Sequence, residues 1–188
     1  MSVTETPIDG HMGPWTVEDV LALPAHPARA RYELVDGVLF MSPAPGLAHQ
    51  IVSSALRRQI DTASTRSGAR FLTAGAVMVA SDSRLFIPDI AVVDRTTVSR
   101  GTLAAPLEAM LLLGEIVSPF TRAPDRILKP ALYAQAKVPA YWRVELEPDV
   151  CVVVHELEGG SYREVATITG TESGGGGGGL HSDPRSAA

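Results

Sequence analysis

The chain has 188 residues, 45% of them hydrophobic and 5% aromatic, with one cysteine and a formal charge of −5. That length suits one domain with its own core, and a single cysteine excludes an internally cross-linked secreted scaffold, pointing to a reducing compartment, the cytoplasm. No apolar stretch approaches the ~18–20 residues that cross a bilayer, the N-terminus lacks the layout of a signal peptide, and the net acidity excludes coating of nucleic acid by bulk positive charge.

Residues 1–14 are expected to form a flexible lead-in to a domain spanning 15–169. Thr16 can cap Asp19 three residues on, and apolar residues at helical spacing follow, so a short helix is predicted over Trp15–Leu23. Arg31–Val35 and Val38–Met41 flank Asp36-Gly37, a pair suited to the positive φ angles of a tight hairpin turn. After Pro43-Ala-Pro45-Gly46, the residues Ala48, Ile51, Val52, Ala55, Leu56, Ile60 and Ala63 recur at three- and four-residue steps, predicting a long helix ended near Gly68. Phe71–Ala80, Ile87–Val93 and Met110–Val117 are apolar runs separated by turn formers, the pattern of buried strands. Ala123–Ala136 is a helix candidate with Pro124 in its first turn and Pro130 as a source of kinking. Tyr141–Leu146, Val150–Glu156 and Tyr162–Ile168 complete a mixed sheet. From Gly170 the sequence turns glycine-rich, with six glycines at 174–179, and residues 170–188 are expected to be a flexible, dispensable tail.

Charge is spread unevenly. Residues 57–143 hold twelve Lys and Arg against seven Asp and Glu, whereas both flanks are acidic, so a basic middle is offered to an anionic partner. Two acids fall where core is expected. Pro88-Asp89 sits inside a strand candidate, and Glu115 ends the run Met110-Leu-Leu-Leu-Gly-Glu-Ile-Val117. A buried carboxylate wants a partner, and two at the ends of neighbouring strands could converge on a hard cation such as Mg²⁺ or Mn²⁺. Lys129, in the helix after the Glu115 strand, could reach that strand's end to orient a water or steady charge growing on a phosphoryl oxygen. Glu33 and His49 are weaker candidates, for an added metal ligand and a proton-transfer group. The remaining histidines and Cys151 show no zinc-site spacing, and no Gly-x-Ser-x-Gly elbow supports acyl transfer.

Taken in order, Tyr32-Glu33-Leu-Val-Asp-Gly37 with Met41-Ser-Pro43, then His49, Ile87-Pro-Asp-Ile-Ala-Val-Val-Asp94, Glu115-Ile-Val-Ser-Pro119, Asp125-Arg-Ile-Leu-Lys-Pro-Ala-Leu-Tyr133 and Val138-Pro-Ala-Tyr-Trp142 resemble the Uma-two family of bacterial restriction endonucleases. The resemblance runs from about Trp15 to Ile168. It implies the PD-(D/E)xK nuclease fold, an α/β (α+β) restriction endonuclease-like mixed sheet flanked by helices, and it assigns Asp89 and Glu115 to metal binding and Lys129 to the active-site lysine. The superfamily lysine stands two residues after the acid. That position is Val117 here, so the lysine must come from the following helix, as in the family itself. Where the family closes with an apolar segment, this chain runs into glycines.

The reading that follows is a Mg²⁺-dependent (or Mn²⁺-dependent) endonuclease acting on duplex DNA, with Asp89, Glu115, Lys129, His49 and Glu33 as its site. Arg57, Arg58, Arg66, Arg70, Arg122 and Arg126 are candidates for backbone phosphate contacts. The rival is a catalytically inactive nuclease-fold module with a binding or regulatory role, and a homodimer is the assembly considered.

Overall fold

The computed structural model describes residues 10–99, 101, 103–118, 124–170 and 180–182. Helix α1 (Val17–Ala22) opens on Thr16, whose hydroxyl accepts from the Asp19 amide while the Asp19 carboxylate accepts from the Thr16 amide, the reciprocal capping box expected of the pair. Strands β1 (Arg31–Val35) and β2 (Val38–Ser42) pair antiparallel with Val35 opposite Val38. Asp36 (φ 47°) and Gly37 (φ 87°) make the two-residue turn, both in the left-handed region that this turn demands. Helix α2 (Leu47–Ser67) ends at Gly68, which takes φ 68° and closes the helix through its amide.

One predicted run divides and another starts late. Phe71–Ala80 becomes β3 (Phe71–Ala74) and β4 (Met78–Ala80), parted by a bend at Gly75 and Ala76, the latter at φ 54°. The strand expected over Ile87–Val93 begins only after Pro88, as β6 (Ile90–Asp94), because proline has no amide to donate to a ladder, and β5 (Arg84–Phe86), not foreseen, precedes it. Strands β7 (Ala104–Pro106), β8 (Met110–Ile116), β9 (Ala140–Glu145), β10 (Cys151–Glu158), β11 (Ser161–Gly170) and β12 (Leu180–Ser182) follow. They form two mixed sheets in place of the single sheet expected, ordered β2-β1-β5-β4-β7 and β12-β11-β10-β9-β8-β6-β3. Two crossings are parallel, β4 with β7 and β8 with β9. Within the stretch expected to be tail, residues 180–182 pair with Ile168–Gly170 as the edge of the larger sheet, and 171–179 and 183–188 lie outside the described residues.

The predicted helix over 123–136 is wound in two ways, a π segment over Pro124–Leu128 and then α3 (Lys129–Gln135). Pro130 thus falls in the first turn of α3, directly after the π segment, where its missing amide goes with the change of winding. Three apolar clusters fill the molecule. Val79, Phe86, Leu113, Leu132 and Tyr133 pack where both sheets meet α3; Leu56 of α2 packs with Ile90, Leu112 and Val144 of the larger sheet; Val20 of α1 packs on Leu34 and Leu85 of the smaller one. Among the described residues, no helix is long and apolar enough to cross a membrane.

Candidate active site

Strand β8 runs between β6 and β9 and is buried along nearly its whole length. Its antiparallel register with β6 pairs Ile90 with Gly114, and one further step places Asp89 opposite Glu115, where both side chains leave the same face. On β1, alternation sends Leu34 to the core and turns Glu33 and Arg31 to the opposite face. On the helical segment, Asp125, Lys129 and Tyr133 recur every four residues and share one face. These three faces meet in a cleft of about 410 Å³ lined by Arg31, Glu33, His49, Asp89, Glu115, Asp125 and Lys129, among others.

Inside it, the Lys129 ammonium stands 3.0 Å from Glu33 Oε1, 3.2 Å from Glu115 Oε1 and 3.5 Å from Asp125 Oδ1. Burial alone would push that ammonium toward the neutral amine, but Glu115, Glu33 and Asp125 together hold its pKa above the ordinary lysine value. The Tyr133 hydroxyl donates to Glu115 Oε1 at 2.6 Å, and the Ile87 amide donates to Glu33 Oε1 at 2.9 Å. Asp89 is held separately. Arg31 Nη1 donates to its Oδ1 at 2.7 Å, His49 Nε2 lies 2.9 Å from its Oδ2, and the Ile116 amide donates to Oδ2 at 3.0 Å. Desolvation would raise the pKa of Asp89, but the His49 and Arg31 contacts outweigh it and keep the carboxylate below its usual range. Glu115, only 2% exposed, goes the other way: burial raises it well above an ordinary carboxylate, and Asp89, Asp125 and Glu33 add to the rise that Lys129 opposes.

Four carboxylates, Glu33, Asp89, Glu115 and Asp125, line the cleft together with Arg31, Lys129 and His49. Hard oxygen donors are what a divalent ion such as Mg²⁺ takes, usually through one or two carboxylates with waters completing the shell. Asp89 and Glu115 fit as such a pair. Among the described residues, no group of three or more His, Cys, Asp or Glu side chains is arranged to hold a metal unaided.

Every sequence-predicted member of the site core therefore lines one cleft. Glu33, expected as an added metal ligand, gives Oε1 to Lys129 and the Ile87 amide. His49, expected as a proton-transfer group, has Nε2 on Asp89, and its buried Nδ1 has no hydrogen-bond partner among the described residues. Of the arginines, Arg126 is paired with Glu145 at 2.8 and 3.1 Å, Arg58 and Arg66 line a separate shallow face of α2, Arg70 is exposed, and Arg122 lies outside the described residues. Of the five that are described, Arg57 borders the site, in a hollow beside the cleft. Arg31, Asp125 and Tyr133 were not foreseen. The two-residue step from Arg31 to Glu33 and the four-residue steps from Asp125 to Lys129 to Tyr133 are the sequence signals that point to them.

Residues 17–175 match the Uma2 family, described as "Putative restriction endonuclease". The chain belongs to that family. No curated protein matches it. In structure it is similar to a crystal structure at 1.96 Å of a putative nuclease of the DUF820 family from Anabaena variabilis ATCC 29413, at a TM-score of 0.62 and 18% identity, over 80% of this chain and 84% of that one. At that identity the likeness concerns the fold, a nuclease-like arrangement of mixed sheets and helices. The residues singled out in the sequence, Glu33, His49, Asp89, Glu115 and Lys129, all line the cleft.

Proposed function

We propose that this Uma2 chain is a Mg²⁺-dependent endonuclease that hydrolyses phosphodiester bonds of DNA. The observation that carries the reading is the convergence of Asp89, Glu115 and the buried Lys129 in one cleft. Asp89 and Glu115 would hold the metal, which when bound lowers the pKa of water and offsets charge on the phosphoryl oxygens. Lys129, fixed as an ammonium by Glu33 and Asp125, would place a water or meet the charge that develops in the transition state. His49 and Arg31 hold the Asp89 carboxylate ionised and oriented. Tyr133 orients Glu115 through its hydroxyl, which burial keeps protonated and so a donor.

The test is cleavage of supercoiled plasmid with Mg²⁺ or Mn²⁺ by wild type, Asp89→Ala and Lys129→Ala. Nicking or linearisation by wild type, reduced at least about a hundredfold in both variants, is expected from the several kcal/mol that metal and electrostatic stabilisation supply. Equal activity in all three would remove the site. DNA binding without cleavage would support the inactive nuclease-fold module instead.

A further inference from the structure

Beside the carboxylate cleft lies a second hollow of about 260 Å³, sharing the wall made by Arg31, His49 and Asp89 and closed on its other side by Gln50, Ser53, Ser54, Arg57, Gly75 and Ala76. We propose that it is an anion subsite, built around Arg57, for a backbone phosphate neighbouring the one cut in the cleft; this rests on the nuclease reading above.

Three observations argue for it. Arg57 is half-buried, its Nε is fully enclosed without an acceptor, and its guanidinium has only a long 3.4 Å bond to Ser54 Oγ; among the described residues it pairs with no carboxylate. Guanidinium groups are costly to shelter from water unless they meet an acceptor, and a phosphate offers the acceptors that match the fork. The fold also makes room for this side chain: a Cβ at residue 75 would stand 2.9 Å from Arg57 Nε and 3.0 Å from its Cδ, so glycine there lets the arginine lie flat against the bend between β3 and β4. Finally, Arg31 and Arg57 face one carboxylate in the second hollow, and that carboxylate, Asp89, is already met by Arg31, His49 and the Ile116 amide. An anion held there lies across the Arg31-His49-Asp89 wall from the proposed metal ligands, which is how a metal and a flanking phosphate of one strand can be held at once.

Two measurements on the full chain test this. Inorganic phosphate is titrated against the arginine Nε–Hε signals of wild type, Arg57→Ala and Arg57→Lys. Wild type should show the Arg57 signal moving with phosphate, Arg57→Ala should bind about tenfold more weakly, and Arg57→Lys should recover part of the loss. Oligonucleotide duplexes carrying one uncharged methylphosphonate next to the cleaved bond should then raise the KM of wild type with little change in kcat, and should leave Arg57→Ala no worse than with the natural duplex. Equal phosphate affinity in wild type and Arg57→Ala, or an equal methylphosphonate penalty in both, overturns the subsite. A wild type that cleaves nothing yet loses phosphate binding on Arg57→Ala leaves the anion site standing and removes the nuclease reading.

Discussion

Glu115 shows most sharply what the site costs the fold. It is enclosed among the apolar residues of β8, and its one nearby cation is shared with Glu33 and Asp125. Its folded-state pKa is raised above the ordinary value of 4.5, so the folded protein keeps this proton to higher pH than the unfolded chain does. The sign follows from proton linkage: stability is unaffected by this group below its unfolded pKa and falls as pH rises through the window above 4.5, where the unfolded state ionises first. Glu115→Gln keeps an acceptor for Tyr133 and removes that penalty. In metal-free buffer the variant should match wild type near pH 4 and melt at a higher temperature near pH 7.5, while cleavage with Mg²⁺ drops by about a hundredfold or more as a carboxylate ligand is lost. Thermal melts across pH, paired with the plasmid assay, check both halves, and an unchanged or lower melting temperature at pH 7.5 would count against the charge strain.

At the level of elements, the β1–β2 hairpin carries Arg31 and Glu33 into the cleft, and its geometry depends on one turn residue. Gly37 sits at φ 87°, and a Cβ there would meet Pro14 Cβ at 2.9 Å. Gly37→Ala should therefore cost roughly 1–2 kcal/mol from backbone strain alone, with the clash adding to it, and this is read as a lower urea midpoint at unchanged m-value. This hairpin and the α1 capping box were legible in the sequence because their determinants are local: a turn pair between two short apolar runs, and a Thr three residues before an Asp. Helix α2 was legible in extent but not in orientation. Its periodic apolar set included Ala48 and Ile51, yet Ile51 is exposed and the buried stripe begins with His49 and Ser53, because the first turns of the helix cover Asp89 and not the core. The division of Phe71–Ala80 between two sheets, and the strand β5 ahead of Pro88, were hidden for a related reason. Hydrophobicity says that a segment is buried, and only the bends at Gly75-Ala76 and Pro88 decide against which partner.

Across the whole molecule, the acidic flanks reach into the basic middle seen in the sequence and pair with four of its twelve cations. Asp36 from the first flank takes Arg84, Glu145 from the last takes both Arg126 and Arg143, and Glu33 takes part of Lys129. A surplus of charge along the chain therefore does not mark the surface that a polyanion meets; what counts is which cations the fold leaves without acids. Near the cleft, Arg57 is such a cation and Arg126 is not. Each phosphate neutralised contributes a slope of about −0.9 to the logarithm of duplex affinity against the logarithm of salt concentration. Arg57→Ala should flatten that slope by nearly one contact, and Arg126→Ala, whose guanidinium is already bidentate on Glu145, should leave it unchanged. Fluorescence anisotropy of a labelled duplex between 50 and 200 mM salt, in Ca²⁺ to hold back cleavage, measures both slopes. Equal flattening by the two substitutions would mean that the duplex reads the charge of the segment and not the pairing that the fold imposes on it.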